Sequence, residues 1–272
     1  MATRPLALLV LSLLAAPVLA AQELWPRPLP GRGEVSLDWV RPSFEDETGF
    51  GFTRGVWTAT GRFPVDPRGR LVVAVPYLTT GASDVGGGSA TFGNPYLGYE
   101  SADSAGKSIF VVGLRLPAAG SSESAPEEMA LIGDYDRFEQ ALPKRLAVHA
   151  EGQAEAFRGD DGATVRYRLG ATFLHYTGEA AGNANDFLFD YGLRFGRDEG
   201  DVAFGLSVTG RFFLSGGAGG SLAQRTTHQA GFDVAWQGPI RPRVALRIPL
   251  DAPLKGGGYR YAVTVGLTVP VQ

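Results

Sequence analysis

The chain contains no cysteine and only three histidines among its 272 residues. Without thiols it can form no disulfide, no thiolate nucleophile and no cysteine-based metal site. The histidines, at positions 149, 175 and 228, are too scattered to indicate a metal site, and we predict no cofactor. A Gly-x-Ser-x-Gly nucleophile elbow is also missing. These absences predict that the protein is not an enzyme and has no catalytic residues.

A strong charge of one sign is absent too, because the formal net charge is only −3. So small a charge argues against a nucleic-acid partner. The one long apolar run, Leu6–Leu19, follows Arg4 and precedes Ala20-Ala21, which is the order of a secretory signal peptide. It is shorter than the ~20 residues of a spanning helix, so a retained anchor is the weaker alternative. We predict a signal peptide over residues 1–21, an extended lead-in over 22–33 and a single domain over 34–272.

What the chain does have is alternation of apolar and polar residues with a period of two. Val165 and Tyr167 share one parity and Arg166 has the other, and the same alternation fills residues 187–195 and 202–214. An α-helix would repeat every 3.6 residues, so these runs are predicted to be strands with one apolar face. At about nine residues or more, each is long enough for a tilted strand to cross a bilayer.

Similar runs recur along the chain and predict about twelve strands. The links between them alternate between short and long, as in outer-membrane barrels. We therefore predict an all-β fold, a transmembrane up-and-down antiparallel β-barrel with both termini in the periplasm. A soluble β-sandwich, whose sheets also alternate because one face packs on a core, is the competing fold. Besides the three runs above, the predicted strands are approximately Glu34–Val40, Thr53–Val65, Arg70–Leu78, Gly93–Ser101, Ser108–Leu116, Arg145–Phe157, Thr227–Trp236, Val244–Leu250 and Tyr259–Val271.

The polar parity of the predicted strands carries most of their charge. An arginine that faces lipid at the bilayer midplane costs about 2–4 kcal/mol, so these side chains are predicted to point into the lumen. The basic excess in the C-terminal half suggests an anion-attracting wall, and an internal salt-bridge network that closes a narrow barrel is the alternative. The predicted lumen-facing residues are Arg62, Arg115, His149, Glu151, Glu155, Arg166, Arg168, Asp190, Arg194, Arg211, Asp233, Arg247 and Arg260.

The longest link, Pro117–Pro143, contains an amphipathic pattern over Pro126–Leu142. Apolar residues recur there at three- and four-residue steps, with Asp134, Asp136 and Glu139 between them. We predict a short helix that either folds into the mouth of the barrel as a gate or lies on its rim as part of an outer loop. The gating candidates are Met129, Ile132, Tyr135 and Phe138.

Two motifs carry a family resemblance. Residues 92–99 have the sequence Phe-Gly-Asn-Pro-Tyr-Leu-Gly-Tyr, and residues 111–117 have Val-Val-Gly-Leu-Arg-Leu-Pro. Both resemble motifs of the Gram-negative outer-membrane barrels described as meta-pathway phenol-degradation proteins or putative transporters. The resemblance implies an outer-membrane channel for small, often aromatic or hydrophobic compounds. Such barrels usually end in an aromatic residue that the insertion machinery recognises, whereas this sequence ends in Val269-Pro270-Val271-Gln272.

These observations predict a multi-pass protein of the Gram-negative outer membrane. Its expected partners are outer-membrane lipid, the barrel-insertion machinery and a small-molecule solute. The favoured function is passive uptake or efflux of small solutes through a porin-like channel. The alternatives are a plugged barrel with a structural or adhesion role through its outer loops and, less favoured, a barrel-embedded lipid-modifying enzyme. Aromatic residues near strand ends, including Tyr77, Trp236 and Tyr259, are candidates for interfacial girdles.

Overall fold

The computed structural model describes residues 25, 32–45, 54–80, 89–119, 133–178, 185–214, 225–256 and 258–271. The predicted signal peptide lies outside the described residues, and so does the lead-in apart from Trp25, Arg32 and Gly33. Met129 and Ile132, two of the four gating candidates, lie outside them as well.

The described residues form one antiparallel sheet that closes on itself. Its thirteen strand segments are β1 (Gly33–Phe44), β2 (Gly55–Pro64), β3 (Gly69–Thr79), β4 (Ala90–Phe92), β5 (Tyr96–Ala102), β6 (Ser108–Arg115), β7 (Arg145–Arg158), β8 (Ala163–Tyr176), β9 (Asn185–Glu199), β10 (Val202–Phe213), β11 (Thr226–Trp236), β12 (Arg241–Pro249) and β13 (Tyr259–Val271). Pairing of β1 with both β2 and β13 closes the barrel. β4 and β5 both pair with β3 and are separated by Gly93, Asn94 and Pro95, so they form one barrel strand. The predicted fold, an all-β antiparallel barrel of twelve strands, is confirmed.

The barrel has two distinct ends. At the short-turn end, the links between strands contain two to five residues, as in the turn at residues 200–201. At the opposite, long-loop end, the links contain eight residues or more. Within the described parts of these longer links lie a 3-10 helix over Tyr135–Gln140 and an α-helix over Ala252–Lys255. Among the described residues, no helix is long and apolar enough to cross a membrane.

The outer surface of the barrel is apolar. Along β8, β10 and β13, side chains of one parity are mostly exposed on the outside and those of the other parity are mostly buried inside. In β13, for example, Val265 is 43% exposed and Thr264 is 3% exposed. A large exposed apolar surface marks an interface, and around a closed barrel the partner is lipid, so the protein is an outer-membrane β-barrel. Exposed outward side chains include Leu71, Phe110, Leu169, Phe195, Leu206, Phe232 and Leu267.

The first residues of β13 depart from the sequence expectation. The register against β1 shifts between Ser43 and Phe44, so that Tyr259 lies opposite Phe44. The shift turns Tyr259 into the interior, where it is buried and does not belong to an aromatic girdle. Arg260, predicted to face the lumen, is exposed, unlike the buried charges of the interior. A shift of one residue suffices because side chains alternate with a period of two.

The interior is filled unevenly. On the β1–β6 side, Val72, Tyr96 and Val111 belong to a buried apolar cluster. A buried ion-pair network lies beside this cluster and extends towards the short-turn end, so this half of the barrel is packed like a protein core. The network joins Arg62 to Glu100 at 3.1 Å, Arg70 to Glu100 at 2.8 Å, Arg70 to Glu34 at 3.0 Å and Arg241 to Glu34 at 2.8 Å.

Candidate functional site

A segment of the longest loop enters the lumen at the long-loop end. We call residues 133–142 the plug. Asp134, Asp136, Phe138 and Gln140 of this segment are each at most 7% exposed. Phe138 is buried and Tyr135 is half-buried against an apolar cluster, so both lie inside the mouth of the barrel and not on its rim. The helix itself is a distorted 3-10 turn, and its charged side chains are buried along with its apolar ones.

Four arginines of the barrel wall contact the plug. They are Arg115, Arg168, Arg211 and Arg247, and we call them the arginine ring. The ring takes one residue from each of the alternate strands β6, β8, β10 and β12, and all four are buried. The ion pairs join Arg115 Nε to Glu139 Oε1 at 3.6 Å, Arg168 Nη2 to Asp136 Oδ1 at 3.0 Å, Arg211 Nη1 to Glu139 Oε2 at 3.0 Å and Arg247 Nη1 to Asp134 Oδ1 at 3.1 Å.

The plug matches the charge of this ring. The wall supplies two carboxylates to it, since Asp190 forms an ion pair with Arg211 and Glu151 Oε2 lies 3.8 Å from Arg168 Nη1. The plug has three carboxylates and Arg137, which gives it a formal charge of −2. The four ring arginines, the two wall carboxylates and the plug are therefore neutral as a set. Neutrality matters here because burying an unpaired charge is costly.

Asp134 organises the plug internally. It is fully buried and accepts hydrogen bonds from Arg137 Nε at 2.9 Å and from Gln140 Nε2 at 2.7 Å, in addition to its ion pair with Arg247. Burial alone would raise the pKa of Asp134, but Arg137 and Arg247 outweigh it and lower that pKa to about 2. Asp134 is therefore ionised at neutral pH.

Asn94 binds the backbone of the plug, and the neighbouring Gly93 lets that backbone approach closely; both lie in the segment that separates β4 from β5. Asn94 Nδ2 donates hydrogen bonds to the carbonyls of Glu139 at 3.0 Å and Leu142 at 2.7 Å, and Asn94 N donates to that of Gln140 at 2.7 Å. A Cβ at position 93 would collide with the Gln140 carbonyl, so the close approach requires glycine. Sequence analysis missed this role, because asparagine next to glycine and proline indicates only a turn.

Apolar contacts complete the attachment of the plug. The ring of Phe138 lies 6.0 Å from that of Phe213, within a buried cluster that includes Leu174. On another side, Ala141 belongs to a buried cluster with Leu254 of the Ala252–Lys255 helix. The plug is thus held by ion pairs, backbone hydrogen bonds and apolar packing together.

A cavity of about 180 Å³ lies on the inner face of strands β8–β13. Small inward residues such as Gly231, Ala235 and Ala245 line it, in contrast to the bulky side chains of the opposite wall. Trp25 of the lead-in also lines the cavity, and its ring lies 5.6 Å from the guanidinium carbon of Arg168, a cation–π distance. The charged lining residues are Arg166, Arg194, Arg241, Arg243, Arg247, Glu34 and Asp233.

Apart from the exposed Arg260, the other residues predicted to face the lumen are buried or half-buried, and they lie in polar contacts. Arg62 belongs to the network at the short-turn end. The remaining contacts are Arg194 Nη2 to Asp233 Oδ2 at 2.6 Å, Arg166 Nη2 to Asp198 Oδ2 at 3.0 Å, Arg166 Nη2 to Glu155 Oε2 at 3.6 Å and His149 Nδ1 to Thr172 Oγ1 at 2.9 Å.

Several interior charges were missed in the sequence. Arg241 and Arg243 precede the predicted strand start at Val244, whereas β12 begins at Arg241. Arg243 forms an ion pair with Asp38 on β1. The others fall on the inward parity of predicted strands, so the alternation that indicated Arg62 could also have indicated them. The missed charges are Glu34, Arg70, Glu100, Arg241 and Arg243.

A hydrogen-bonded chain of titratable side chains lies outside the lumen, near the long-loop end. Tyr191 Oη lies 2.6 Å from His228 Nε2, and His228 Nδ1 lies 2.7 Å from Asp251 Oδ2. Gly210 pairs with both Tyr191 and His228, and a Cβ there would collide with the Tyr191 ring. These hydrogen bonds fix Asp251 at the start of the Ala252–Lys255 helix. In the part of the chain that the structure describes, no three His, Asp or Glu side chains are grouped to hold a metal ion.

Comparison with known proteins assigns the chain to no family. The chain matches no protein-family model and no curated protein sequence. Similar solved structures include a NanC porin, with a TM-score of 0.46 and 7% identity over 88% of this chain and 100% of that one. Others are the CymD monoaromatic hydrocarbon channel (TM-score 0.45, 8% identity, 88% of each chain) and LpxR from Salmonella typhimurium (TM-score 0.46, 9% identity, 87% of this chain and 99% of that one). The resemblance to phenol-degradation proteins stays a prediction, and function is inferred from the site itself.

Proposed function

We propose that the protein is an outer-membrane channel for small solutes and that the plug holds it closed in this structure. The observation that carries the proposal is the cavity of about 180 Å³ on the β8–β13 side. A barrel interior filled on all sides would be stabilised by more packing contacts, yet these strands present Gly231, Ala235 and Ala245 where the opposite wall presents Tyr96. The solute path follows this wall of small residues.

The plug is the part that moves. It belongs to a loop, so its displacement breaks no hydrogen bond between barrel strands, whereas the wall is a continuous ladder. The plug lies across the long-loop end, above the cavity, and its withdrawal would open the mouth. The lining suits small solutes with a polar group, and an aromatic or apolar portion would contact Trp25 and the alanines.

The long-loop end faces the cell exterior in this proposal. Both termini then lie at the short-turn end, in the periplasm, because β1 begins and β13 ends there. Outer-membrane lipid covers the apolar outer surface. The insertion machinery remains an expected partner.

Replacement of the plug tests the proposal. Residues 133–142 are exchanged for a Gly/Ser linker of equal length, and the native barrel and this linker variant are each reconstituted in planar bilayers. We expect the linker variant to conduct steadily and the native barrel to open rarely, since only the variant lacks the segment that fills the mouth. Equal conductance of the two would show that the plug does not gate the barrel.

A plugged barrel with a structural or adhesion role is the second candidate. The observation that favours it is the complete pairing of the plug carboxylates with the arginine ring. This candidate predicts that neither the native barrel nor the linker variant conducts. Conductance of the linker variant together with rare openings of the native barrel would exclude it.

A further inference from the structure

The plug occupies the arginine ring as a bound polyanion would. Asp134, Asp136 and Glu139 come from one short segment, and they place their carboxylates against guanidinium groups from four different strands. Arginine is suited to this task because its planar fork matches carboxylate and phosphate oxygens. The ring also donates to the plug backbone, since Arg211 binds the carbonyls of Tyr135 at 3.0 Å and Asp136 at 2.7 Å. The structure thus shows a tethered anion in an arginine site.

Withdrawal of the plug changes the charge of this site. Four arginines then face two wall carboxylates, Asp190 and Glu151, which leaves a formal excess of two positive charges in the lumen. Uncompensated charge in a poorly solvated interior is costly, so this excess opposes opening. An anion that takes the place of the plug carboxylates would remove the cost.

We propose that the arginine ring binds small solutes that carry two or more carboxylate or phosphate groups, and that such a solute opens the channel by displacing the plug. The inference rests on the proposed channel function and deepens it by naming the solute class and the opening signal. A ligand shifts an equilibrium only by its differential affinity for the two states. Polyanions bind the open state more tightly than the closed state, because the ring is available to them only when the plug carboxylates have left it.

Chloride is expected to open the channel far less well. A singly charged ion can neutralise one arginine but cannot bridge guanidinium groups that come from separate strands. The apolar contacts of Phe138 and Ala141 and the hydrogen bonds of Asn94 do not compete with anions. They set how much polyanion is needed, and they allow the plug to return when the solute leaves.

The absence of native cysteine gives a direct test. Ala141 of the plug is fully buried, so Ala141→Cys is protected from a water-soluble thiol reagent until the plug moves. Purified barrel in detergent is labelled in potassium chloride and, at equal ionic strength, in tricarballylate or in inorganic pyrophosphate. We expect both polyanions to raise the labelling rate about tenfold, as a ligand at about ten times its dissociation constant would.

Two control cysteines separate plug movement from other effects. Val72→Cys lies in the buried cluster of the β1–β6 side, away from the plug, and should stay unlabelled in every salt. Ala252→Cys is exposed and should react at the same rate in every salt. Acceleration at Val72→Cys would mean that polyanions loosen the whole barrel, and it would overturn the proposal. Acceleration by pyrophosphate alone would restrict the solutes to phosphates, and acceleration by tricarballylate alone would restrict them to carboxylates.

The arginines themselves are tested in the Ala141→Cys background. Arg247→Gln should raise basal labelling and abolish the further acceleration by polyanions. Arg62→Gln, which changes a buried arginine of the network at the short-turn end, should preserve the acceleration by polyanions. Polyanions that accelerate labelling no more than chloride does, or that act equally on both variants, would overturn the proposal. Labelling does not depend on conductance. A linker variant that does not conduct would therefore refute the proposed channel, whereas the binding of polyanions and the displacement of the plug are judged from the labelling rates alone.

Discussion

Asn94 shows how much a single neutral side chain can determine in this barrel. Its amide nitrogen binds two plug carbonyls, and its amide oxygen accepts a hydrogen bond from Ala119 N at 2.8 Å, so both halves of the amide are used. The side chain is fully buried. Asn94 therefore connects the plug, the interrupted barrel strand and the residues that follow β6.

Asn94→Ala should loosen the plug. The substitution leaves buried carbonyls without a donor, which costs about 1–3 kcal/mol, or roughly 5- to 150-fold in the closing equilibrium. We expect faster labelling of Ala141→Cys and more frequent openings in planar bilayers. The matched control is Asn185→Ala, at an exposed residue that begins β9 and contacts His175 of β8. Equal labelling of both variants would show that Asn94 does not hold the plug.

Two neighbouring residues of β13 test the facing of the strands. Val265→Arg would place a charge in lipid at a cost of about 2–4 kcal/mol, whereas Thr264→Arg would place it among the charged residues that line the cavity. We expect the first variant to block assembly and the second to assemble. A membrane-insertion assay decides, and equal insertion of both would refute the assigned facing.

At the scale of elements, the β8–β13 wall and the plug have separate tasks. The wall determines whether a path exists, and the plug determines whether the path is open. Ala245→Trp should fill the cavity and reduce conductance even in the linker variant, because Ala245 lines the cavity. Val244→Trp, one residue away and exposed on the outside, should leave conductance unchanged. Loss of conductance in both variants would place the path elsewhere.

The plug should keep the barrel closed in mild acid. The pKa of Asp134 is lowered from 3.8 to about 2, so its contribution to closure is fully present above the ordinary value and is lost as pH falls through the lowered one. We expect constant open probability between about pH 8 and pH 5, and opening only below about pH 4. Asp134→Asn, which cannot ionise, should open at pH 7. Opening of the native barrel between pH 7 and pH 5 would contradict this account.

At the scale of the whole molecule, the two ends of the barrel should lie on opposite sides of the outer membrane. Arg68→Cys is exposed in a turn at the short-turn end, and Ala252→Cys is exposed at the long-loop end. In intact cells, a membrane-impermeant thiol reagent should label only the second. Labelling of Arg68→Cys in intact cells would reverse the assigned orientation.

The fold could be predicted from the sequence because lipid imposes a strict period of two. The alternation in β8, β9 and β10 needed no knowledge of tertiary contacts, and it located most interior charges as well. The plug could be predicted only in part. Its apolar spacing indicated an amphipathic helix, but the decisive contacts of Asp134, Asp136 and Glu139 join residues far apart in sequence, which periodicity does not report. The inward turn of Tyr259 depends on a local register shift, which the residue pattern did not reveal.

The position of the plug along the chain has a consequence for biogenesis. It follows β6, so Arg115 precedes it, while Arg168, Arg211 and Arg247 all come later. During synthesis, three acidic side chains therefore exist before most of the cations that will hold them. We expect the C-terminal strands to close around this segment as a template. A barrel made without it would mature with an uncompensated positive charge among its interior arginines.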